Sequence, residues 1–526
     1  MRLWIDRGSA LSKRRLAGVA VIVIYFAATS ALLLSYLPGW YHPGAQRITI
    51  LRAVEIFNEG PFPAIFGHPF SGANVYALLG SIPLSMGFDL RFVRLPMMVL
   101  GIVSAMVVLG IARWYEPEGQ PPYVTVALLL VTPHFVVFSG FALPMIVTLT
   151  AGLFGIYGYL RYLEAGRRKW LVLSAFGGGL AAFNHFWGGV VFVTILGFDS
   201  IVLGRFARLR KRERLCETVR HRFRLWAAHV VALAPAVALY FFYRSSGSSG
   251  RYGKYTITDS AGLLLRPTWY KTLGFYTLQY HPTHFLVTAL MAGLCWQLVR
   301  TRNLAVLTCE RHGKHVVAPP AFWGVWVVLG AVVLFLFPRG SYVHEYYFWW
   351  SIPPSVGFAA WWTHSTAINV PDSVPRAKWP SRTQVRRGLF AGLLITSATL
   401  TGLHSMRGYV GPQQDVPGFT DGVPPHCLVR DCSGPPDNEH VRIVTQTVRP
   451  TLSDDRVVGY GAVDTLLGAR LRLSDRYHHI PFGEPIPPDT DLVIAADQLP
   501  ANRSSEWQRT GVISGGGEST YVYRPV

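Results

Sequence analysis

The chain has 526 residues, of which 50% are hydrophobic, 13% aromatic and only 15% charged, with a formal net charge of +20. Soluble domains carry about 25% charged residues, so this composition excludes an ordinary soluble enzyme. Nucleic-acid binding is excluded as the meaning of the positive charge, because the Lys and Arg residues flank long apolar runs, as the positive-inside rule expects of a membrane protein.

About 20 mostly apolar residues cross a bilayer. In chain order the segments that satisfy this are 16–36, 93–113, 122–139, 142–162, 170–185, 187–204, 225–243, 282–300, 320–338, 347–364 and 389–405. The first follows Lys13, Arg14 and Arg15. It is longer than the roughly 7–15 residues of a signal-peptide core, and no Ala-x-Ala site follows, so it reads as an uncleaved span with the N-terminus inside. Segment 72–87 is apolar but short, and Gly80, Pro83 and Gly87 break it. Parity decides its role. The loop 205–224 carries nine basic residues against Glu213 and Glu217, and 161–169, 300–318 and 376–387 are basic as well. All four fall on the cytoplasmic side only if 72–87 does not cross. It is then a half-inserted or surface helix on the outer side, tolerated where it packs on protein or lines a cavity. The result is an α-helical polytopic membrane protein of about eleven spans, N-terminus in and C-terminus out.

Four pieces then face outward. Loop 37–92 contains Arg47–Glu59, which reads as a short amphipathic helix ended by Gly60-Pro61. The others are the turn Asn184–Trp187, the stretch 244–281 with Arg251, Lys254, Arg266, Lys271 and His281, and Arg339–Tyr347. The membrane domain is expected over 1–405. Residues 406–440 are a Pro/Gly-rich linker by composition, and 441–526 read as a small extracytoplasmic α/β domain. Its apolar runs follow Arg456 and Asp491, with a helix-like 462–472 between them. Cys427 and Cys432 are close enough for a short-loop disulfide in an oxidising compartment; two unrelated thiols are the alternative. Cys216, Cys295 and Cys309 fall in membrane or basic-loop segments. Asn502-Arg503-Ser504 is a sequon, with meaning only where the compartment glycosylates.

The densest polar cluster is Arg339-Gly340-Ser341-Tyr342-Val343-His344-Glu345-Tyr346-Tyr347, at the outer mouth of a span. An ionisable group there is a functional candidate. Glu345, with His344, Tyr346 and Tyr347, suits orientation of a polar substrate or binding of a cation, and the Arg339 guanidinium suits a phosphate. The bland alternative is an aromatic belt with a helix-capping ion pair. Arg52, Glu55 and Glu59 share one helical face, which is either a site or a solvated surface. Arg94 opens a span just before Leu95-Pro96 and either holds the half-inserted helix or reaches an anionic headgroup. His185, between two spans, faces outward. His42 and His68 have no partner at metal spacing, so no metal is expected. No Walker loop, GxSxG elbow or HExxH is present, and no cofactor is expected. Gly177–Gly179 read as close helix packing.

Four stretches together resemble the polytopic sugar transferases that use lipid-linked donors, glycosyltransferase family 39 of the GT-C superfamily, which includes protein O-mannosyltransferases and bacterial aminoarabinose transferases. They are His42-Pro43 with Leu51–Gly60, then Phe92-Val93-Arg94-Leu95-Pro96, then Ser139–Met145, and then His344-Glu345-Tyr346-Tyr347. The likeness covers roughly residues 10–365. It implies a membrane glycosyltransferase in the cell membrane that moves a sugar from a polyprenyl- or dolichyl-phosphate donor to an acceptor protein, glycan or lipid at the outer face. In that family an acidic residue of the first outer loop is the general base of an inverting transfer, and basic residues stabilise the departing phosphate. On this reading Glu55 and Glu345 are the candidates for chemistry. Arg52, Arg94, His185, Arg339, His344, Tyr346 and Tyr347 are the candidates for donor binding. The chain departs from the family after His-Pro, where Gly44-Ala45-Gln46 replaces an acidic pair, and Gly140–Pro144 also lacks an acid. A non-catalytic lipid-sugar binding or assembly protein of the same fold is therefore the alternative. A transporter is the third reading; it has no internal repeat behind it and one clear intramembrane acid, Asp199.

Overall fold

The computed structural model describes residues 20, 22–30, 50, 53–58, 60–61, 74–88, 90–117, 120–140, 145–209, 211–245, 261–284, 287–288, 291, 307–336, 345–364, 382–407, 444, 446–448, 450, 455–460, 477–480, 485–495, 499, 506–515 and 518–526. Helices dominate. In chain order they are α1 (22–30), α2 (53–58), α3 (Asn74–Ser85), α4 (Leu95–Tyr115), α5 (Pro121–Leu130), α6 (Pro133–Gly140), α7 (Met145–Ala165), α8 (Arg168–Asn184), α9 (Val190–Arg208), α10 (Arg212–Ser245), α11 (Pro267–Tyr280), α12 (Pro319–Leu336), α13 (Ile352–His364) and α14 (Arg382–Arg407). Among the described residues, five helical stretches are long and apolar enough to cross a membrane: Phe92–Tyr115, Met145–Ala165, Trp187–Arg208, Arg212–Phe241 and Pro319–Leu336.

The bundle is organised around α7, which is buried on nearly every side from Met145 to Leu163. An all-apolar helix of that kind sits inside, not at the surface. It packs on α8 through glycines: a methyl added at Gly177 would lie 2.6 Å from the Gly155 amide nitrogen. Small residues let membrane helices approach at backbone distance, as expected for Gly177–Gly179. The peripheral helices keep apolar side chains outward, including Val99 and Met106 on α4, Phe176 on α8 and Val231 and Phe241 on α10. These faces suit lipid.

α3 has 12 residues, a length of about 18 Å, well short of the roughly 30 Å hydrocarbon layer. The helix is too short to cross by itself, which is consistent with the surface or half-inserted helix expected from parity. Three other expectations need correction. The run 122–139 is not one continuous helix. Pro133 has no amide to give Leu129, so the helix breaks into α5 and α6. The Thr132 hydroxyl donates to Leu128 O at 2.7 Å, and Thr401 of α14 donates to Val131 O at 2.8 Å, which satisfies the carbonyls freed at the break. The basic stretch 205–224 is not all loop. From Arg212 it is the first part of the 34-residue α10, because Arg, Leu and Glu are good helix formers and nothing interrupts them. The basic stretch 300–318 contains a hairpin, β1 (Thr308–Arg311) with β2 (Lys314–Val317), antiparallel through a turn at His312 and Gly313, both at positive φ.

After α14 comes a five-stranded sheet of order β4-β3-β5-β7-β6, made from β3 (Val457–Tyr460), β4 (Tyr477–Ile480), β5 (Leu492–Ala495), β6 (Trp507–Gly515) and β7 (Glu518–Pro525). β3 runs parallel to β4 and β5, and β7 is antiparallel to β5 and β6. Strand alternation sends Val458, Tyr460, Val493 and Ala495 to one face, with Leu499, Trp507 and Tyr523. Val457, Leu492 and Ile494 go to the other and are continuous with the main apolar core. The runs after Arg456 and Asp491 are strands, as expected. Most of 282–300, the helix-like 462–472, the sequon, Cys427 and Cys432 lie outside the described residues.

Candidate functional site

The polar side chains divide between two ends of the bundle. At one end the basic segments meet. The β1–β2 hairpin, within 300–318, touches two of the others, 161–169 and 205–224, and the end of α4. Arg311 donates to Tyr115 O at 2.5 Å and lies over the Trp114 ring. His312 lies 3.8 Å from Glu164, Arg205 bonds Thr308, and Arg214 lies 3.3 Å from His315. Three of the segments that parity put on one side of the membrane, 161–169, 205–224 and 300–318, are therefore together in space.

The other end carries the candidate site. Glu164 and Thr148 are 16 residues apart on α7, about 24 Å along its axis. At the Thr148 end, Asn184 closes α8 and is fully buried. Its Nδ2 donates to Thr148 Oγ1 at 2.9 Å, and its Oδ1 accepts from the Tyr76 amide at 3.0 Å. Tyr76 is in the first turn of α3, where amides have no partner within the helix. Asn184 thus fixes the entry of α3 to the centre of the bundle. From the other side, α2 and the 3-10 turn Leu90–Arg94 close on α3. A methyl at Gly80 would lie 2.8 Å from Val93 Cγ1 and 3.3 Å from Ala53 Cβ. This clamp carries Glu55 and Arg94. Both are buried, Arg94 with no exposed surface. Burial pushes the Tyr76 phenol well above its usual value, and the neighbouring Arg94 pulls weakly the other way. Asn184→Ala removes both hydrogen bonds and leaves the Tyr76 amide without its acceptor. It should lower the thermal midpoint through a loss of about 1–3 kcal/mol, with increased proteolysis at α3 as the local readout. An unchanged protein would show that α3 is held by its apolar contacts alone.

Glu55 is not on a solvated face. Ala53, Val54 and Ile56 are buried beside it, while Phe57 and Asn58 are the exposed positions. His185 follows Asn184 in the turn, half-buried, with the Trp187 ring 6.4 Å away. Arg52, Arg339 and His344 lie outside the described residues. Glu345, Tyr346 and Tyr347 begin the 3-10 turn Glu345–Ser351, of which Phe348, Trp349 and Trp350 are buried.

That turn borders a group the sequence reading passed over. His134, in the first turn of α6 after the break, stacks on Phe348 at 5.8 Å between ring centres. His281 lies 6.1 Å from His134 and stacks on His284 at 5.2 Å. His284 Nδ1 is 3.1 Å from Ser355 Oγ. All three rings are buried. A histidine within an apolar run was the available signal for His134. The described residues contain no group of His, Cys, Asp or Glu suited to holding a metal ion.

No protein-family model matches the chain, and no curated protein matches it. Solved structures do. The chain is similar to ArnT from Cupriavidus metallidurans bound to undecaprenyl phosphate, with a TM-score of 0.56, 13% identity, and 98% of each chain covered. Apo ArnT from the same organism gives a TM-score of 0.50 at 13% identity, with 96% of this chain and 98% of that one covered. Identity at this level speaks for the fold alone. Over nearly its whole length, then, the chain has the polytopic fold of ArnT.

Proposed function

We propose that the chain is a membrane glycosyltransferase that moves a sugar from a polyprenyl-phosphate donor to an acceptor at the extracytoplasmic face. The observation that carries this reading is the buried Arg94, held at the start of α4 against α3, in a fold similar to a protein bound to undecaprenyl phosphate. The planar guanidinium is well shaped to bind a phosphate through charge-assisted hydrogen bonds, and a lipid phosphate is the ligand proposed for it here. The basic end of the bundle then faces the cytosol with the N-terminus, and the C-terminal sheet lies outside.

In the reaction the acceptor hydroxyl oxygen attacks the anomeric carbon, and the bond from that carbon to the phosphate oxygen breaks. The acceptor proton passes to a carboxylate, for which Glu55 and Glu345 are the candidates. The lipid phosphate leaves with the bonding electrons, and Arg94 stabilises the charge that develops on it. His185, Arg52, Arg339, His344, Tyr346 and Tyr347 complete the proposed donor site.

The test is transfer by the purified protein from a panel of polyprenyl-phosphate sugars. Glu55→Gln and Glu345→Gln are assayed separately. Loss of the base should lower the rate by about 100-fold or more in one of them while donor binding persists. If the parent neither binds nor turns over any donor, the reading fails. Donor bound without turnover by the parent would favour a non-catalytic lipid-sugar binding protein, the reading that Gly44-Ala45-Gln46 motivates.

A further inference from the structure

The basic end holds a charge imbalance that the proposed transfer does not use. Arg214, near the start of α10, directs its Nη1 to the Nε2 of His315 on β2, 3.3 Å away. A guanidinium is always charged and only donates, so His315 accepts at Nε2 and carries its proton on Nδ1. That Nδ1 is buried and has no hydrogen-bond partner. Arg205 and Lys211 act electrostatically on the same imidazole, and Glu310, its cross-strand neighbour on β1, is the one carboxylate that does. Burial and this surplus of cations hold His315 below its usual range. Glu213 and Glu217 are on α10 nearby, but among the described residues neither forms an ion pair with Arg214 or Lys211. Lys211 and Arg214 are exposed, and the Phe206 ring meets the His315 ring edge-on at 5.1 Å. Three cations, one acid and an imidazole N–H without an acceptor thus converge where α9, α10 and the hairpin join.

We propose that this junction is a binding site for a phosphate group, with Lys211 and Arg214 as its charged arms and His315 as the neutral donor between them. A phosphate oxygen held by Lys211 and Arg214 would take the place of the Arg214 contact at Nε2 and accept from that nitrogen in the other neutral tautomer of His315, and Arg205 would back it from α9. The geometry suits a headgroup of an anionic phospholipid reaching in from the bilayer edge, and equally inorganic phosphate from the solvent. Phosphate monoesters and diesters pair with guanidinium groups through charge-assisted bonds of this kind. The site is at the end of the bundle opposite Arg94, so occupancy here is separable from donor binding.

The experiment uses the full-length protein purified in a neutral detergent. Native mass spectrometry is run with phosphatidylglycerol and with phosphatidylcholine, and thermal midpoints are measured in phosphate and in chloride at equal ionic strength. The parent should retain phosphatidylglycerol, or be raised in midpoint by phosphate, more than Lys211→Gln/Arg214→Gln by about tenfold in affinity. Arg220→Gln, an exposed cation of the same helix away from the junction, should behave like the parent. Phosphatidylglycerol retention that millimolar phosphate does not displace assigns the site to lipid. A phosphate shift without lipid retention assigns it to the soluble ion. Equal binding by the parent and the double variant, or no binding of either probe by the parent, overturns the proposal. If the double variant proves unstable in chloride, His315→Gln serves instead, with the same loss expected.

Discussion

Arg94→Gln should abolish transfer from a polyprenyl-phosphate sugar, with a fall of about 100- to 1,000-fold in turnover, the scale of removing one preorganised charge stabiliser from a reacting centre. Arg94 has no exposed surface, and taking a guanidinium out of water costs several kcal/mol. A helix start such as Leu95-Pro96 needs no arginine before it; Pro in the first turn is sufficient. The charge is held by a clamp of α2, α3 and the 3-10 turn, and the phenol of Tyr76 lies in its field. If the charge serves the leaving phosphate, the loss falls mainly on the transfer step, because negative charge grows on the phosphate as the sugar departs. Arg94→Lys keeps the charge and loses the planar fork, so it should recover part of the rate. Equal losses in Gln and Lys, with unfolding midpoints lowered alike and residual turnover proportional to folded protein, would make Arg94 a structural post for α3 and nothing more.

The sequence made some of this legible and hid the rest for physical reasons. Hydropathy and basic flanks act over one span at a time, and they located the long helices. Parity set α3 apart from the spans, and its apolar run is short and broken by Pro83. Strand patterning found β3 and β5. What stayed hidden depends on contacts between distant positions. Asn184 looked like part of a turn, yet it serves the Tyr76 amide 108 residues away. His134 comes from one segment and His281 and His284 from another, about 150 residues on, and only the fold brings the rings together beside Phe348. Glu55 misled in the opposite sense. Its spacing with Arg52 left a solvated stripe open, but Glu55 is buried in α2, which packs on α3 through Ala53 and Ile56. Amphipathic spacing gives a period and not a direction, and a short helix packed under a membrane bundle has little water to face.

Asp199→Ala should destabilise the protein by about 3–5 kcal/mol, the cost of leaving its partner as an uncompensated buried charge. Asp199 was the one intramembrane acid that favoured a transporter. Here it is saturated. Tyr159 donates to Oδ1 at 2.8 Å, Trp226 Nε1 donates to Oδ2 at 2.8 Å, and Arg222 Nη1 lies 3.1 Å from Oδ1. Arg222 also donates to the Tyr159 oxygen at 3.2 Å. Asp199 and Arg222 are 1% and 4% exposed, so the network ties α7, α9 and α10 in a dry interior where losing one member is expensive. An acid that carries a proton or ion through a transport cycle has to exchange partners, and this one has both oxygens engaged by side chains of α7 and α10. The two readings separate in a double-mutant cycle. Arg222→Met alone should destabilise about as much as Asp199→Ala. Asp199→Leu/Arg222→Met removes both charges together and should return most of the stability, since well-packed apolar residues often replace a buried ion pair without loss. Sugar transfer should survive in the double variant, because the pair is remote from Arg94. A double variant that folds with a parental midpoint but has lost all activity would mean that Asp199 does chemistry or transport after all.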